Sequence, residues 1–114
     1  MHICGDTTSI IEDIVSTGAD FFDVDYQVPA DQAIAAARGR IIGRGNLDPS
    51  AVFRFGTLEA VRMATEALCA SVGDTPWIAS SGCDIPPGTP AENIRAFVEC
   101  AVGARLPRDA SPLL

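Results

Sequence analysis

The chain has 114 residues, room for one domain, and 47% apolar with 20% charged residues is the balance of a folded protein rather than a disordered one. Fifteen acidic residues oppose eight basic ones, all of them scattered arginines, and the net charge of −7 leaves no basic patch for nucleic acid. No apolar run approaches the roughly 18 residues of a membrane span, and Met1-His2-Ile3-Cys4 is unlike a signal peptide, so the expected location is the cytoplasm with Cys4, Cys69, Cys83 and Cys100 as reduced thiols.

Met1 to Cys4 is short, apolar and strand-like. Thr7 or Thr8 then caps a helix that carries Ile10, Ile11, Ile14 and Val15 on one face and stops at Gly18. Ala19 to Asp25 is a β-rich run with Asp23 and Asp25 at its polar end. Pro29-Ala30-Asp31 opens a second helix, through Ala33, Ile34 and Ala37, to Gly39. The third strand, Ile41 to Gly45, ends at Asn46-Leu47-Asp48-Pro49, and a short apolar stretch, Ala51-Val52-Phe53, follows. Thr57 caps a third helix with Leu58, Val61, Met63, Ala64 and Leu68 in apolar positions, ending near Gly73. Trp77 to Ser80 is the fourth strand, followed by Ser81-Gly82-Cys83-Asp84-Ile85-Pro86-Pro87. The last helix starts near Pro90 and turns Ile94, Phe97, Val98 and Val102 inward. These elements make one domain over residues 1–103 and leave 104–114 as a frayed, proline-containing tail.

Strict alternation of strand and helix predicts an α/β fold of four βα units with a parallel sheet and right-handed crossovers. His2 and Cys4, Asp23 and Asp25, Asn46 and Asp48, and Ser80 to Cys83 all fall at or just after carboxyl ends of strands, where α/β barrels place their chemistry. Each pair alone reads equally well as the polar start of a loop.

His2 and Cys4 lie two residues apart on a strand and so share a face; with Cys83 they offer one nitrogen and two sulfur donors, a set suited to zinc with an open fourth position. The alternative is that Cys4 and Cys83 are small buried fillers and His2 a frayed terminal residue. Cys69 and Cys100 fall on apolar helix stripes and read as core. Asp25 is a better site candidate than Asp23, because it lies nearer the loop. In Gly45-Asn46-Leu47-Asp48-Pro49, Asn46 can donate and accept and Asp48 precedes a proline, which fits ligand binding or a polar turn capping the next helix. Ser80 and Ser81 have no nearby histidine for a hydrolytic triad, and Gly43-x-Gly45 lacks the rest of a dinucleotide fingerprint.

From His2 to about Val102 the sequence resembles the C-terminal half of the uroporphyrinogen decarboxylase superfamily, nearest its zinc-dependent corrinoid methyltransferases of the methylcobalamin:coenzyme M type. The resemblance is carried by His2-Ile3-Cys4-Gly5-Asp6-Thr7-Thr8, by Gly45-Asn46-Leu47-Asp48-Pro49 and by Ser80-Ser81-Gly82-Cys83-Asp84-Ile85-Pro86-Pro87. It implies half of a TIM (β/α)8 barrel, strands five to eight. Zinc would sit on His2, Cys4 and Cys83, and Asp25, Asn46, Asp48 and Ser81 would line a substrate pocket. The implied activity is methyl transfer from a methylcobalamin-loaded corrinoid protein to a zinc-activated small thiol, or the acceptor half of such an enzyme. A decarboxylase-like enzyme is the alternative, disfavoured because Cys83 stands where that branch normally has histidine. A non-catalytic half-barrel, as fragment or assembly subunit, is the third. Met1 abuts the motif, so a missing N-terminal half-barrel or a second copy is expected to complete the barrel; no nucleic acid and no membrane are expected partners. Tyr26 departs from the acidic residue that many relatives of this branch carry after the strand.

Overall fold

Side-chain alternation sorts the strands into a covered and an open face. The computed structural model describes residues 1–105, and in it β1 (Phe21–Asp23), β2 (Ile42–Leu47) and β3 (Trp77–Ser81) form a parallel sheet in chain order. Phe21 is in register with Ile42, Asp23 with Arg44, Arg44 with Ile78 and Asn46 with Ser80. Phe22, Val24 and Trp77 point into the core, whereas Phe21, Ile42 and Ile78 on the opposite face are 41%, 39% and 46% exposed. Glycine at position 43 is required by packing, because a Cβ there would overlap the Trp77 ring.

The expected first strand is reduced to one isolated parallel bridge between His2 and Asp23. The Met1 carbonyl accepts from Asp23 N at 2.9 Å, and the chain then peels away as Gly5 N turns to the Asp25 carboxylate instead of a backbone carbonyl. Three strands and a bridge therefore stand where four strands are expected.

The helices follow their local signals closely at three ends, the start of α2 and both ends of α3. A 3-10 turn, Thr8–Ile10, leads into α1 (Ile11–Ser16), and Ile11, Ile14 and Val15 are buried while Ile10 faces outward. Helix α2 (Ala30–Ala37) starts after Pro29 and buries Ala33, Ile34 and Ala37. Helix α3 (Leu58–Val72) is capped by Thr57, whose hydroxyl accepts from Ala60 N at 3.1 Å, and stops at Gly73. Its buried stripe is Val61, Thr65, Leu68 and Val72; Leu58 and Met63, expected inside, are exposed. Thr65 is accommodated there because its hydroxyl donates to the Val61 carbonyl at 2.7 Å.

Ala51-Val52-Phe53 lies in a π-helical turn, Pro49–Arg54, that buries Phe53 edge-on to Phe97, with ring centroids 5.1 Å apart. Helix α4 (Ala91–Arg105) is rotated from the expected face: Asn93 and Ala96 are buried and Val98 and Val102 look outward. The cause is Asn93, whose amide donates to the carbonyls of Phe53 and Gly56 at 2.9 Å each and so decides which side of α4 meets the π turn. Cys69 and Cys100 are only half buried, not core. Helix α4 runs through Gly103 to Arg105, past the expected domain edge, and the rest of the expected tail, residues 106–114, lies outside the described residues. Among the described residues no helix is long and apolar enough to cross a membrane.

Candidate functional site

Parallel register puts His2, Asp23 and Arg44 side by side across three neighbouring segments, on the open face of the sheet. The Asp23 carboxylate links them: Oδ2 is 3.0 Å from His2 Nδ1, and Oδ1 accepts from Arg44 Nε at 2.6 Å. Partial burial pushes the Asp23 carboxyl up, but the Arg44 guanidinium and the His2 ring outweigh it and hold the group below the usual carboxylate range. The same contact raises the Arg44 guanidinium above its ordinary value.

The other ring nitrogen of His2, Nε2, lies 3.0 Å from Cys4 Sγ. The Cys4 thiol is pushed up, chiefly by its hydrogen bond with the neighbouring Cys83 thiol, then by desolvation and by the negative charge around Cys83, Asp25 and Asp84. Asp25 is buried and anchors this corner: Oδ2 accepts from Gly5 N and Oδ1 from Gln27 N, both at 2.9 Å. Cys83 is brought in by the turn after β3, where Gly82 N donates to the Leu47 carbonyl and the Ser81 hydroxyl to the Cys83 carbonyl, both at 2.6 Å. A cavity of about 330 Å³ opens here, lined by His2, Asp23, Arg44, Ser81, Cys83 and Asp84 among others.

The expected pocket residues Asn46 and Asp48 hold backbone in this structure. Asn46 falls inside β2 rather than in the loop after it, is buried, and donates both amide hydrogens, to the carbonyls of Val28 at 2.7 Å and Asp25 at 3.2 Å. Asp48 caps the π turn, accepting from Ser50 N and Ala51 N at 2.9 Å each. Gly45, just before Asn46, has φ +152°, and a side chain there would collide with the Val24 carbonyl; its own carbonyl accepts from Trp77 Nε1 at 2.9 Å.

His2, Ser81 and Cys83 thus line one cavity, with Cys4 against His2 and Cys83 and Asp25 bonded to the backbone at Gly5. Among the described residues no three His, Cys, Asp or Glu side chains stand spread to receive a metal ion. The His2–Cys4 contact itself is tighter than a zinc ion would leave it. Zinc bonds of about 2.0 Å to nitrogen and 2.3 Å to sulfur at a tetrahedral angle hold the two donors roughly 3.5 Å apart. The hydrogen-bonded pair sits at 3.0 Å and would have to part by about half an ångström to admit the ion. The donor chemistry itself fits zinc: a ring nitrogen whose partner nitrogen meets a carboxylate, and two thiols. Sequence reasoning ranked Asp23 below Asp25 and did not single out Arg44. Spacing along one strand cannot show a row that exists only across strands.

Residues 1–103 match the family model for uroporphyrinogen decarboxylase (URO-D). The chain belongs to the URO-D family. It is 40% identical to the methylcobamide:CoM methyltransferase MtbA of Methanosarcina mazei, over 92% of this chain and 30% of that protein. It is also 30% identical to a uroporphyrinogen decarboxylase of Prochlorococcus marinus, over 87% of this chain and 28% of that one. Its fold superposes on a methyltransferase from Methanosarcina mazei with a TM-score of 0.78 at 24% identity, covering 89% of this chain and 29% of that structure. The chain therefore spans less than a third of the length of these relatives.

Proposed function

We propose that this URO-D family chain carries the thiol-activating half of a corrinoid-dependent methyltransferase. It would take a methyl group from a methylated corrinoid protein to a small thiol, in the cytoplasm. The observation that carries the reading is the convergence of His2 Nε2 and Cys4 Sγ, 3.0 Å apart, beside Cys83 at the rim of a cavity. The 40% identity to a methylcobamide:CoM methyltransferase supports it. In this reading the sheet and the His2 bridge are four adjacent units of a (β/α)8 barrel, strands five to eight, whose interior is the open sheet face.

His2, Cys4 and Cys83 would hold zinc. Bound there, the ion supplies Lewis acidity that keeps an acceptor thiol deprotonated and nucleophilic at neutral pH. The chain's own residues prepare that place. Asp25 fixes the Cys4–Gly5 backbone, and Ser81 fixes the backbone of Cys83. Asn46 ties the loop after β1 to β2, and Asp48 holds the turn that leads away from the strand end. The cavity of about 330 Å³ has room for a small thiol and is lined by polar groups that would orient it.

The test is elemental analysis of the purified, reduced chain beside Cys83→Ser and Cys69→Ser. Equimolar zinc in the wild type and in Cys69→Ser, lost in Cys83→Ser, is the expected result. A folded wild-type chain that takes up no zinc would overturn the reading. Methyl transfer from a methylcobamide to added thiols, assayed on the zinc-loaded chain, then tests the activity directly.

A further inference from the structure

We propose that Asp23 is a positioning residue, braced by Arg44, that locks His2 in the tautomer with the proton on Nδ1 and aims Nε2 at Cys4. An ionised carboxylate can only accept hydrogen bonds, so the His2 nitrogen that faces Asp23 Oδ2 at 3.0 Å must be the one that carries hydrogen. The lone pair of the neutral ring is then on Nε2, the atom 3.0 Å from Cys4 Sγ. The two Asp23 oxygens have divided roles, because Oδ1 is held by Arg44 Nε at 2.6 Å. Arg44 is itself steadied, with its guanidinium 5.3 Å from the centre of the Phe21 ring. The brace is built into the sheet, since Asp23 and Arg44 are register partners on β1 and β2.

His2 needs such a device. Its side chain is 47% exposed and its backbone is held by a single bridge, and the Cys4 thiol at the other ring nitrogen can donate or accept and so does not by itself fix the tautomer. The value of the lock for catalysis rests on the zinc reading above, because only a lone pair on Nε2 would meet an ion shared with Cys4. The lock itself is a property of the metal-free chain.

The chain has one histidine, so a long-range nitrogen–proton correlation spectrum of the imidazole reports His2 alone. The spectrum is recorded on the metal-free, full-length chain above the ring's own titration midpoint. The wild type is expected to show the Nδ1–H tautomer. Asp23→Asn is expected to show both tautomers, and Arg44→Met, which keeps an apolar stem against Phe21, an intermediate mixture. Zinc affinity, read by competition with a chromophoric chelator, is expected to fall about 10- to 100-fold in Asp23→Asn. An Nε2–H ring in the wild type, or a spectrum unchanged by Asp23→Asn in a folded chain, would sink the proposal. A wild type with the Nδ1–H ring and no zinc uptake would sustain the positioning role while removing the methyltransferase reading.

Discussion

Asn46 has the hydrogen-bonding capacity of a ligand-binding residue, and the fold uses it to close a loop. Its two amide hydrogens meet the carbonyls of Asp25 and Val28, and no other described side chain serves that pair. In Asn46→Ala the buried Val28 carbonyl loses the amide donor while the Asp25 carbonyl keeps Val28 N at 3.1 Å, and the cost is about 1–3 kcal/mol of unfolding free energy. A urea titration read by the single tryptophan measures it, with the midpoint expected to fall and the slope to stay the same. A loss below about 0.5 kcal/mol would mean that water reaches these carbonyls in place of the amide. The closeness of His2 and Cys4 was legible from spacing, because the two residues share a side of the chain whatever pairs with them. Asn46 was misplaced for the opposite reason. A glycine and an asparagine in sequence look like a strand end, and only the pairing of Asn46 with Ser80 keeps β2 going to Leu47.

Elements were readable where their ends are local events. Pro29, Thr57 and Gly73 act on the backbone beside them, and α2 begins, and α3 begins and ends, at those signals. Thr57→Ala removes the hydroxyl that accepts from Ala60 N and is expected to cost about 1 kcal/mol, measurable in the same titration. The face of α4 was not readable, because Asn93 answers to carbonyls some forty residues earlier in the chain. That rotation leaves Cys100 at the seam between α3 and α4, its sulfur 3.7 Å from the Arg62 carbonyl and 3.9 Å from Glu66 Oε1. Burial, then the negative charge of Glu66, pushes the Cys100 thiol above its ordinary value. A raised acid stays protonated as pH rises, so the thiolate forms later in the folded chain than in the unfolded one. Alkylation of Cys100, followed by peptide mass spectrometry across pH 7 to 10, is therefore expected to accelerate at higher pH in the native protein than in urea. Glu66→Gln removes the nearby charge and is expected to move the native profile toward lower pH. An unchanged profile would show that Glu66 is turned away from the sulfur.

At the scale of the molecule helices cover one face of the sheet and leave the other open. Helices cover Phe22, Val24 and Trp77, while Phe21, Ile42 and Ile78 form an apolar band on the open face, Phe21 and Ile42 below the polar row of His2, Asp23 and Arg44 and Ile78 beside Arg44. In a closed (β/α)8 barrel such a band meets side chains from the opposite strands and fills the interior. The relatives are more than three times as long as this chain. The two faces should then respond differently to mutation in the isolated chain. Phe22→Ala opens a cavity in the covered core and is expected to cost about 3–5 kcal/mol. Ile78→Thr keeps a β-branched residue on the open face and is expected to change stability by no more than about 0.5 kcal/mol. Sedimentation equilibrium adds the second half of the test. If a second copy covers the band, the wild type sediments with the mass of two chains, Ile78→Thr becomes costly, and Ile78→Glu returns the mass to one. A one-chain mass with a neutral Ile78→Thr would show that the band is bare in this chain alone, the condition expected of a barrel segment whose remaining strands are supplied from elsewhere.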